Sequence, residues 1–203
     1  MVLRIETHRN KRTNQMKFPS VTKILDVTMP AEKRAGLEAW RSRIGDEEAK
    51  KVLELAILRG KNIDSQVEEF RSNGTCEDAR IKEYLTGYRI LELEFVIVSE
   101  IYKYQGRLDA ILQMNGRNIL VDFKGSNKWK PNKYLQDYRL QIGAYFGALS
   151  EMSYNIDAAC VVIFVDGMDK PQLLWQQPSD LWDAHAEFVK RVAMYESMCG
   201  RPI

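Results

Sequence analysis

The sequence predicts an α/β (α+β) fold, in which a central mixed β-sheet is flanked by helices. Two apolar-rich segments, YQGRLDAILQM and ILVDFKGS, lie on either side of Asn115-Gly116, the dipeptide most typical of a tight hairpin turn. The segment 158–165, AACVVIFV, is apolar throughout, which is typical of a strand buried on both faces. Helix-forming segments precede and follow these strands, so both types of element are expected.

Composition limits the class of protein. The 203 residues suit one domain with a sizeable core, and 45% hydrophobic and 29% charged residues indicate a globular enzyme. No apolar run is long enough to span a bilayer, so no membrane partner is expected. The formal net charge is only +2, which means that any surface for nucleic acid must be local.

Cysteine and histidine usage excludes several kinds of site. Cys76, Cys160 and Cys199 are odd in number and widely spaced, which indicates a reducing compartment and argues against a disulfide framework or a zinc cluster. His8 and His185 are the only histidines, so a histidine-rich metal centre is excluded.

The first half of the chain is predicted to be mainly helical. Residues 1–17 form a basic, polar arm that either touches phosphates or is a solvated tail. Pro30 suits the first turn of a helix over 31–45, and a second helix is expected over 46–58. We interpret their apolar stripes as core faces, formed by Leu37, Trp40, Ile44, Val52, Leu53, Leu55, Ala56 and Leu58. A further helix is expected over 78–91, with an inward face of Ile81, Tyr84, Leu85 and Tyr88.

The remaining elements are mostly strands. Residues 91–98 alternate in polarity, which places Leu93, Phe95 and Ile97 on one face of a first strand. Residues 170–177 are expected to pair with the strand 158–165 across a turn at 166–167. A C-terminal helix then runs to about residue 198, with Ser179 or Asp180 as its N-cap.

Acidic and basic side chains meet at the predicted hairpin. Asp122 and Lys124 are two residues apart on a strand, so their side chains share a face, while Val121 and Phe123 point to a core. Asp109 lies on the neighbouring strand. Two carboxylates with an ammonium group suit a hard divalent cation that also binds phosphate. On its own, an Asp-x-Lys triplet is more often a surface ion pair.

These residues resemble the core of the PD-(D/E)xK nuclease superfamily, in the order Asp109, Asp122-Phe123-Lys124 and Gln141-x-x-x-Tyr145. The last pair resembles the Q-x-x-x-Y motif of the RecB-like branch. Upstream, PSVTKIL (19–25), WRSR (40–43) and RGKNID (59–64) are similar to the mitochondrial genome maintenance exonuclease family. The resemblance covers nearly the whole chain and implies a restriction-endonuclease-like core with an N-terminal helical arch between residues 30 and 70.

The resemblance also implies roles for individual residues. The implied catalytic residues are Asp109, Asp122, Lys124, Gln141 and Tyr145. One or two Mg²⁺ or Mn²⁺ ions are expected as cofactors, with ligands drawn from Asp109, Asp122, the Phe123 carbonyl, Asp64 and Glu68. Glu94 also occupies a place where relatives have an acidic residue, and we rank it below Asp109 as a ligand.

Asp64 departs from the pattern of the family, in which a metal-binding histidine ends the motif. A carboxylate still suits Mg²⁺ and Mn²⁺, and Asp64 shares a helical face with Glu68. The alternative is that Asp64 caps a helix beginning near Ser65. The sequence leaves both open.

A basic segment with aromatic residues follows the hairpin. Lysines flank Trp129 and Tyr134, a pattern that suits single-stranded nucleic acid because ammonium groups meet phosphates and bases stack on rings. A solvated charged loop has the same composition. The residues expected to bind DNA are Arg59, Lys61, Arg107, Ser126, Lys128, Trp129, Lys130 and Lys133.

Together these observations predict one nuclease domain over 1–203, made of the arm 1–17, a helical region 18–90 and a catalytic core 91–203. The expected function is metal-dependent exonucleolytic hydrolysis of DNA, most simply at single-stranded ends during replication, repair or recombination. The alternatives are a structure-specific or sequence-specific endonuclease on the same core and a weakly active DNA-binding subunit. The expected location is the cytoplasm of a bacterial or phage-infected cell rather than a mitochondrion.

Overall fold

The computed structural model describes residues 18–200, so the predicted basic arm 1–17 lies outside the described residues. The helices are α1 (Val21–Val27), α2 (Ala31–Ile44), α3 (Asp46–Asn73), α4 (Ala79–Leu85), α5 (Gln136–Glu151) and α6 (Pro178–Cys199). The strands are β1 (Arg89–Ser99), β2 (Tyr104–Met114), β3 (Arg117–Ser126), β4 (Ala158–Val165) and β5 (Gln172–Gln176). A 3₁₀ turn, Asn132–Tyr134, precedes α5.

The strands form one mixed sheet in the order β1-β2-β3-β4-β5, which confirms the predicted fold class. β3 and β4 are parallel, and the other neighbouring pairs are antiparallel. A parallel pair needs a crossover connection, and α5 supplies it. α5 therefore lies across the sheet directly after the strand that carries Asp122 and Lys124.

The β2–β3 hairpin has the predicted turn. Met114 pairs with Arg117, and the two residues between them have positive φ angles, 51° at Asn115 and 77° at Gly116. A two-residue turn with both φ angles positive matches the twist of the flanking strands, and Asn-Gly adopts it at low cost.

Apolar side chains fill two core layers, one on each face of the sheet. β4 is buried at all eight positions, as predicted, and its residues alternate between the layers. The layer under α1, α5 and α6 includes Leu120 of β3, whereas the layer under α3 and α4 includes Val121 and Phe123. The predicted inward direction of Val121 and Phe123 is confirmed. Asp122 and Lys124 consequently lie on the face toward α5.

α5 and α6 cross closely at Gly147. A Cβ atom added there would lie 2.2 Å from ring atoms of His185, which is far below van der Waals contact. His185 is itself buried and packs edge-on against Tyr102 and Trp182. This crossing fixes the position of α5 over the sheet.

The prediction that the α2 and α3 stripes are core faces is wrong. Within the described residues, α2 buries no side chain. On α3, Leu53 is 61% exposed, and Trp40 and Ile44 of α2 are half-buried. The other exposed members of the predicted stripes are Leu37, Val52, Leu55, Ala56 and Leu58. α2 and the first half of α3 lie outside the two core layers, so their stripes have no core to face, whereas the second half of α3 packs on the sheet through Ile63 and Val67.

Several predicted boundaries also need correction. α3 runs without a break from Asp46 to Asn73, because Gly60 in a helix interior costs only about 1 kcal/mol and no proline interrupts it. The helix predicted over 78–91 ends at Leu85, where Thr86 turns extended and β1 follows. The cap of α6 is Gln177, and Asp180 completes a capping box by accepting from the Gln177 N–H.

In β1, the predicted shared face of Leu93, Phe95 and Ile97 is wrong. Leu93 packs with the layer under α3 and α4, whereas Phe95 and Ile97 pack with the opposite layer. Between them Glu94 has a φ of 50°, which breaks the two-residue alternation.

Candidate active site

The site lies where β2 and β3 separate. Their pairing runs from the hairpin to Ala110 and Val121, and the Phe123 N–H then donates to the Asp109 carboxylate at 2.7 Å. A side-chain oxygen thus replaces the next backbone acceptor of the ladder. This hydrogen bond places the Asp109 carboxylate close to Asp122 on the neighbouring strand, as the sequence predicted.

Asp122 is 1% exposed and is held by Lys124. The Lys124 Nζ atom lies 2.9 Å from Oδ1 and 2.7 Å from Oδ2, but hydrogen-bond geometry is satisfied only at Oδ1. Within the described residues, Oδ2 has no hydrogen-bond partner. Burial raises the pKa of Asp122, and the Lys124 charge opposes that rise. Burial works against the charge on Lys124, yet Asp122 and Asp109 raise its pKa overall.

The pKa of Asp109 is strongly affected by its surroundings. Burial, and then the negative charge of Asp122, raise its pKa to about 7. Two neighbouring carboxylates that repel each other, one buried and one half-buried, fit a divalent cation, because the cation would keep both ionised. The chemistry of the donor set therefore agrees with the expected Mg²⁺ or Mn²⁺.

Acidic residues from three elements line a small cavity of about 30 Å³ beside this pair. They are Asp64, Glu68, Glu94 and Asp109, with Phe123 also in the lining. Glu94 forms an ion pair with Arg107 at 2.7 Å. Among residues 18–200, no three histidine, cysteine or acidic side chains are already arranged as a metal cage. The predicted ligands Asp64, Glu68, Glu94 and Asp109 therefore line one cavity, although Glu94 is ion-paired with Arg107.

The suggestion that Asp64 caps a helix is wrong, because Asp64 lies in the middle of α3. Burial raises its pKa, while Lys124 and Arg107 lower it. α3 reaches the site because β3 has a glycine at the contact, where a Cβ on Gly125 would lie 2.9 Å from the Arg59 Cβ. A role for Asp64 or Glu68 as a metal ligand stays a prediction.

α5 places the predicted Gln141 and Tyr145 against the site. The Gln141 side-chain amide donates to the Tyr145 hydroxyl at 2.8 Å, and Tyr145 is buried. Burial, followed by the Asp122 charge, raises the pKa of Tyr145. The tyrosine therefore stays neutral and fixes the orientation of the glutamine.

Tyr138 is a site residue that the sequence analysis missed. The Lys124 ammonium lies 5.8 Å from the centre of its ring, within the range of a cation–π contact. Tyr138, Gln141 and Tyr145 have the i, i+3, i+7 spacing of one helical stripe, and that pattern could have revealed it.

The residues expected to bind DNA lie in different environments. Lys61, Lys128, Trp129 and Lys133 are exposed, and Lys130 is half-buried. Burial, then the charges of Lys128 and Lys33, lower the pKa of Lys130.

Three of the expected DNA contacts are engaged within the protein. Arg59 pairs with Asp166 at 2.8 Å and Arg107 with Glu94, while the buried Ser126 hydroxyl donates to the Lys128 carbonyl at 2.6 Å. Those three would have to exchange protein partners to contact DNA. All eight assignments stay predictions.

None of the helices between residues 18 and 200 is long and apolar enough to cross a membrane. The three cysteines are free, two of them buried and Cys199 exposed.

Comparison with known proteins gives consistent relatives. The chain is 31% identical over 188 residues to mitochondrial genome maintenance exonuclease 1 of Mus musculus, covering 81% of this chain and 53% of that protein. For the Homo sapiens protein of the same name the identity is 30% over 174 residues, covering 74% and 50%. The chain therefore spans about half the length of these relatives.

Solved structures share the fold. The crystal structure of SSO0001 superposes with a TM-score of 0.53 at 16% identity, covering 94% of this chain and 80% of that one. A Eubacterium rectale protein described as a candidate exonuclease superposes with a TM-score of 0.52 at 17% identity, covering 97% and 88%. The profile of the PD-(D/E)XK nuclease superfamily matches residues 21–197, which include every element from α1 to β5 and most of α6. With Asp109, Asp122 and Lys124 gathered where two strands separate, this match shows that the chain belongs to the PD-(D/E)XK nuclease superfamily.

Proposed function

We propose that this protein is a metal-dependent DNA exonuclease that hydrolyses phosphodiester bonds, acting on single-stranded ends in replication, repair or recombination. The observation that carries the proposal is the pair formed by the half-buried Asp109 and the buried Asp122, with Lys124, at the separation of β2 and β3. The names of the relatives support exonucleolytic activity, and since the chain spans about half their length, activity and substrate are proposed here for this chain.

Asp109, Asp122 and the Phe123 carbonyl would hold one or two Mg²⁺ or Mn²⁺ ions, with Asp64 and Glu68 as further ligands. A divalent ion in such a site supplies polarisation of the phosphate and a lower pKa for water. The repulsion between Asp109 and Asp122 supports this assignment, because the pKa of Asp109 stays raised to about 7 although the Lys124 charge and the Phe123 N–H both oppose the rise, and a cation would relieve it.

Lys124 would stabilise the negative charge that develops on the scissile phosphate. Its ammonium is fixed between the Asp122 carboxylate and the Tyr138 ring, so it needs little reorganisation during the reaction. Loss of one preorganised electrostatic contact of this kind costs about 10²- to 10³-fold in turnover. Gln141 would orient the attacking water or a terminal phosphate, and Tyr145 keeps its amide in place.

The substrate would reach this site between the α2–α3 pair and the basic loop after β3. Lys61 extends from α3, and Lys128, Trp129, Lys130 and Lys133 extend from the loop. Ammonium groups beside exposed rings favour unpaired nucleotides. The cytoplasm remains our prediction for where the protein acts.

The two alternatives use the same fold. An endonuclease would share the carboxylates and differ only in its access to internal phosphates. A weakly active DNA-binding subunit is favoured by one feature, namely that Asp64 stands where the resemblance to the family implies a metal-binding histidine.

One assay separates these functions. Two substrates, end-labelled linear single-stranded DNA and circular single-stranded DNA, are incubated with the protein and Mg²⁺ or Mn²⁺. The Asp122→Asn variant is the control. An exonuclease releases short products from the linear strand and leaves the circle intact, whereas an endonuclease opens the circle. Binding of both without cleavage would show a binding subunit.

A further inference from the structure

The basic loop between β3 and α5 is held in place by a buried side chain from the edge strand β5. Gln172 is 5% exposed. Its Oε1 accepts from the Lys130 N–H at 3.0 Å, and its Nε2 donates to the Lys130 carbonyl at 2.7 Å. A single amide side chain therefore satisfies both backbone groups of Lys130, as a neighbouring strand would do.

Ser126 holds the other side of the same loop. Its buried hydroxyl donates to the Lys128 carbonyl at 2.6 Å and lies 3.3 Å from the Lys128 N–H, which donates to it. Breaking bonds to buried polar groups is costly, so both attachments resist local opening. The backbone on each side of Trp129 is thus held by hydrogen bonds, to Ser126 on one side and to Gln172 on the other.

Trp129 and Lys128 are exposed although the backbone of the loop is held, and Lys130 is half-buried. Trp129 is 53% exposed, and Lys128 beside it is exposed as well. Lys33 of α2, which is ion-paired with Asp137, also lies near Lys130, whose pKa is lowered by burial and then by the charges of Lys128 and Lys33. An anion such as a phosphate would relieve that crowding.

We propose that Gln172 and Ser126 preorganise Trp129 and its flanking lysines as a rigid platform for unpaired nucleotides, and that Gln172 sets the preference for single strands over duplex. The inference rests on the proposed function and adds the residue that determines this specificity. A ring carried on a backbone that is already held loses less freedom when a base stacks on it than a ring on a mobile loop would. In a duplex the base faces are already stacked, so the platform gains much less there.

The test compares two glutamines of the same strand. Gln172→Met keeps the volume and removes both bonds to Lys130. Gln176→Met is the control, because Gln176 is 1% exposed and its side-chain nitrogen has no hydrogen-bond partner among the described residues. Binding of a fluorescent oligothymidylate and of a blunt duplex is measured in EDTA, where no hydrolysis occurs. Hydrogen exchange of the Lys130 amide and the melting temperature are measured alongside.

We expect Gln172→Met to weaken oligothymidylate binding about five- to tenfold, with less than about a twofold change for duplex. Exchange at the Lys130 amide should accelerate, and Gln176→Met should bind like the wild type. In a Trp129→Ala background, Gln172→Met should have little further effect on binding, since the ring it orients is absent.

Wild-type affinity of Gln172→Met, or equal losses for single strand and duplex, would overturn the inference. Should Gln172→Met not fold, Gln172→Glu replaces it, because it keeps the acceptor for the Lys130 N–H and loses the donor; wild-type affinity of that variant would likewise overturn it. If the wild-type protein itself fails to bind or cleave single strands, the proposed function fails. If it does both and only the Gln172 effect is missing, the platform alone is wrong.

Discussion

The first half of α3, together with α2, differs from the core beneath α5 in how far its apolar side chains are buried. α2 and the first half of α3 expose their apolar residues, and α2 contacts α5 through the ion pair of Lys33 with Asp137. At the core, α5 presses on α6 with no room for a methyl group, and β3 buries an aspartate. The difference indicates that burial positions Asp122 beneath α5, whereas the apolar side chains of α2 and of the first half of α3 stay open to solvent.

The sharpest way to test this contrast is to place the same methyl group in both regions. Gly147→Ala should destabilise the protein by about 3 kcal/mol or more, because the added Cβ meets the His185 ring and the two helices must separate. Gly36→Ala is the matched control in α2, where no described atom lies within 4 Å of the added Cβ. It should stabilise by about 0.5–1 kcal/mol through helix propensity. Chemical denaturation measures both, and equal losses would contradict the contrast.

The second prediction concerns the negative charge of the Asp109 carboxylate. The pKa of Asp109 is raised in the folded state to about 7, so the folded protein binds more protons than the unfolded chain between about pH 4 and 7, and wild-type stability falls as pH rises through that range. In EDTA at pH 8, Asp109→Asn should therefore be about 1–3 kcal/mol more stable than the wild type, and the two should converge near pH 4.

Saturating Mg²⁺ should remove that advantage, because only the wild type retains both carboxylates. Denaturation curves at pH 4 and pH 8, with and without metal, give the comparison. A less stable Asp109→Asn at pH 8 in EDTA would show that the carboxylate is needed for its bond to Phe123 more than it is penalised for its charge.

The third prediction concerns Asp64, which lies on α3 between the exposed half of that helix and the core. If Asp64 is a ligand, Asp64→Ala should raise the metal concentration for half-maximal hydrolysis about 10- to 100-fold. Asp64→His should restore activity and favour Mn²⁺ over Mg²⁺, since imidazole nitrogen suits the transition metal better. Melting temperatures should hardly move, because Asp64, although partly covered at the cavity, remains accessible to solvent within α3. A wild-type metal titration for Asp64→Ala would remove this residue from the centre.

The smallest effect is expected at Tyr138. Tyr138→Leu removes the ring facing Lys124 and should lower kcat about five- to tenfold with KM nearly unchanged, in line with the value of a partly buried cation–π contact. Tyr138→Phe keeps the ring and should retain most of the rate. Equal losses in both variants would assign the effect to the hydroxyl group.

The contrast also explains which features the sequence revealed. The hairpin at Asn115-Gly116 and the shared face of Asp122 and Lys124 depend on neighbours along the chain, so local pattern was enough to predict them. The stripe at Leu37 and Leu53 has the same period whether or not a core lies beneath it, and only the tertiary structure shows that it does not.

Long-range contacts account for the rest. Gln172 reaches Lys130 across 42 residues, and no local pattern announces it. The switch of faces in β1 depends on the backbone of Glu94, whose side chain pairs with Arg107 on the next strand. The polar character of both residues was visible in the sequence, but their partners were not.

The most direct test of the catalytic centre is a titration of Mg²⁺ and Mn²⁺ into the wild type and Asp122→Asn, with calorimetry for binding and end-labelled single-stranded DNA for hydrolysis. The substitution removes ligand charge at nearly constant volume. We expect weaker metal binding and at least about a 10²- to 10³-fold loss of hydrolysis, with the melting temperature unchanged or higher. Near-wild-type hydrolysis by Asp122→Asn in Mg²⁺ would contradict the assignment of the centre to Asp109, Asp122 and Lys124.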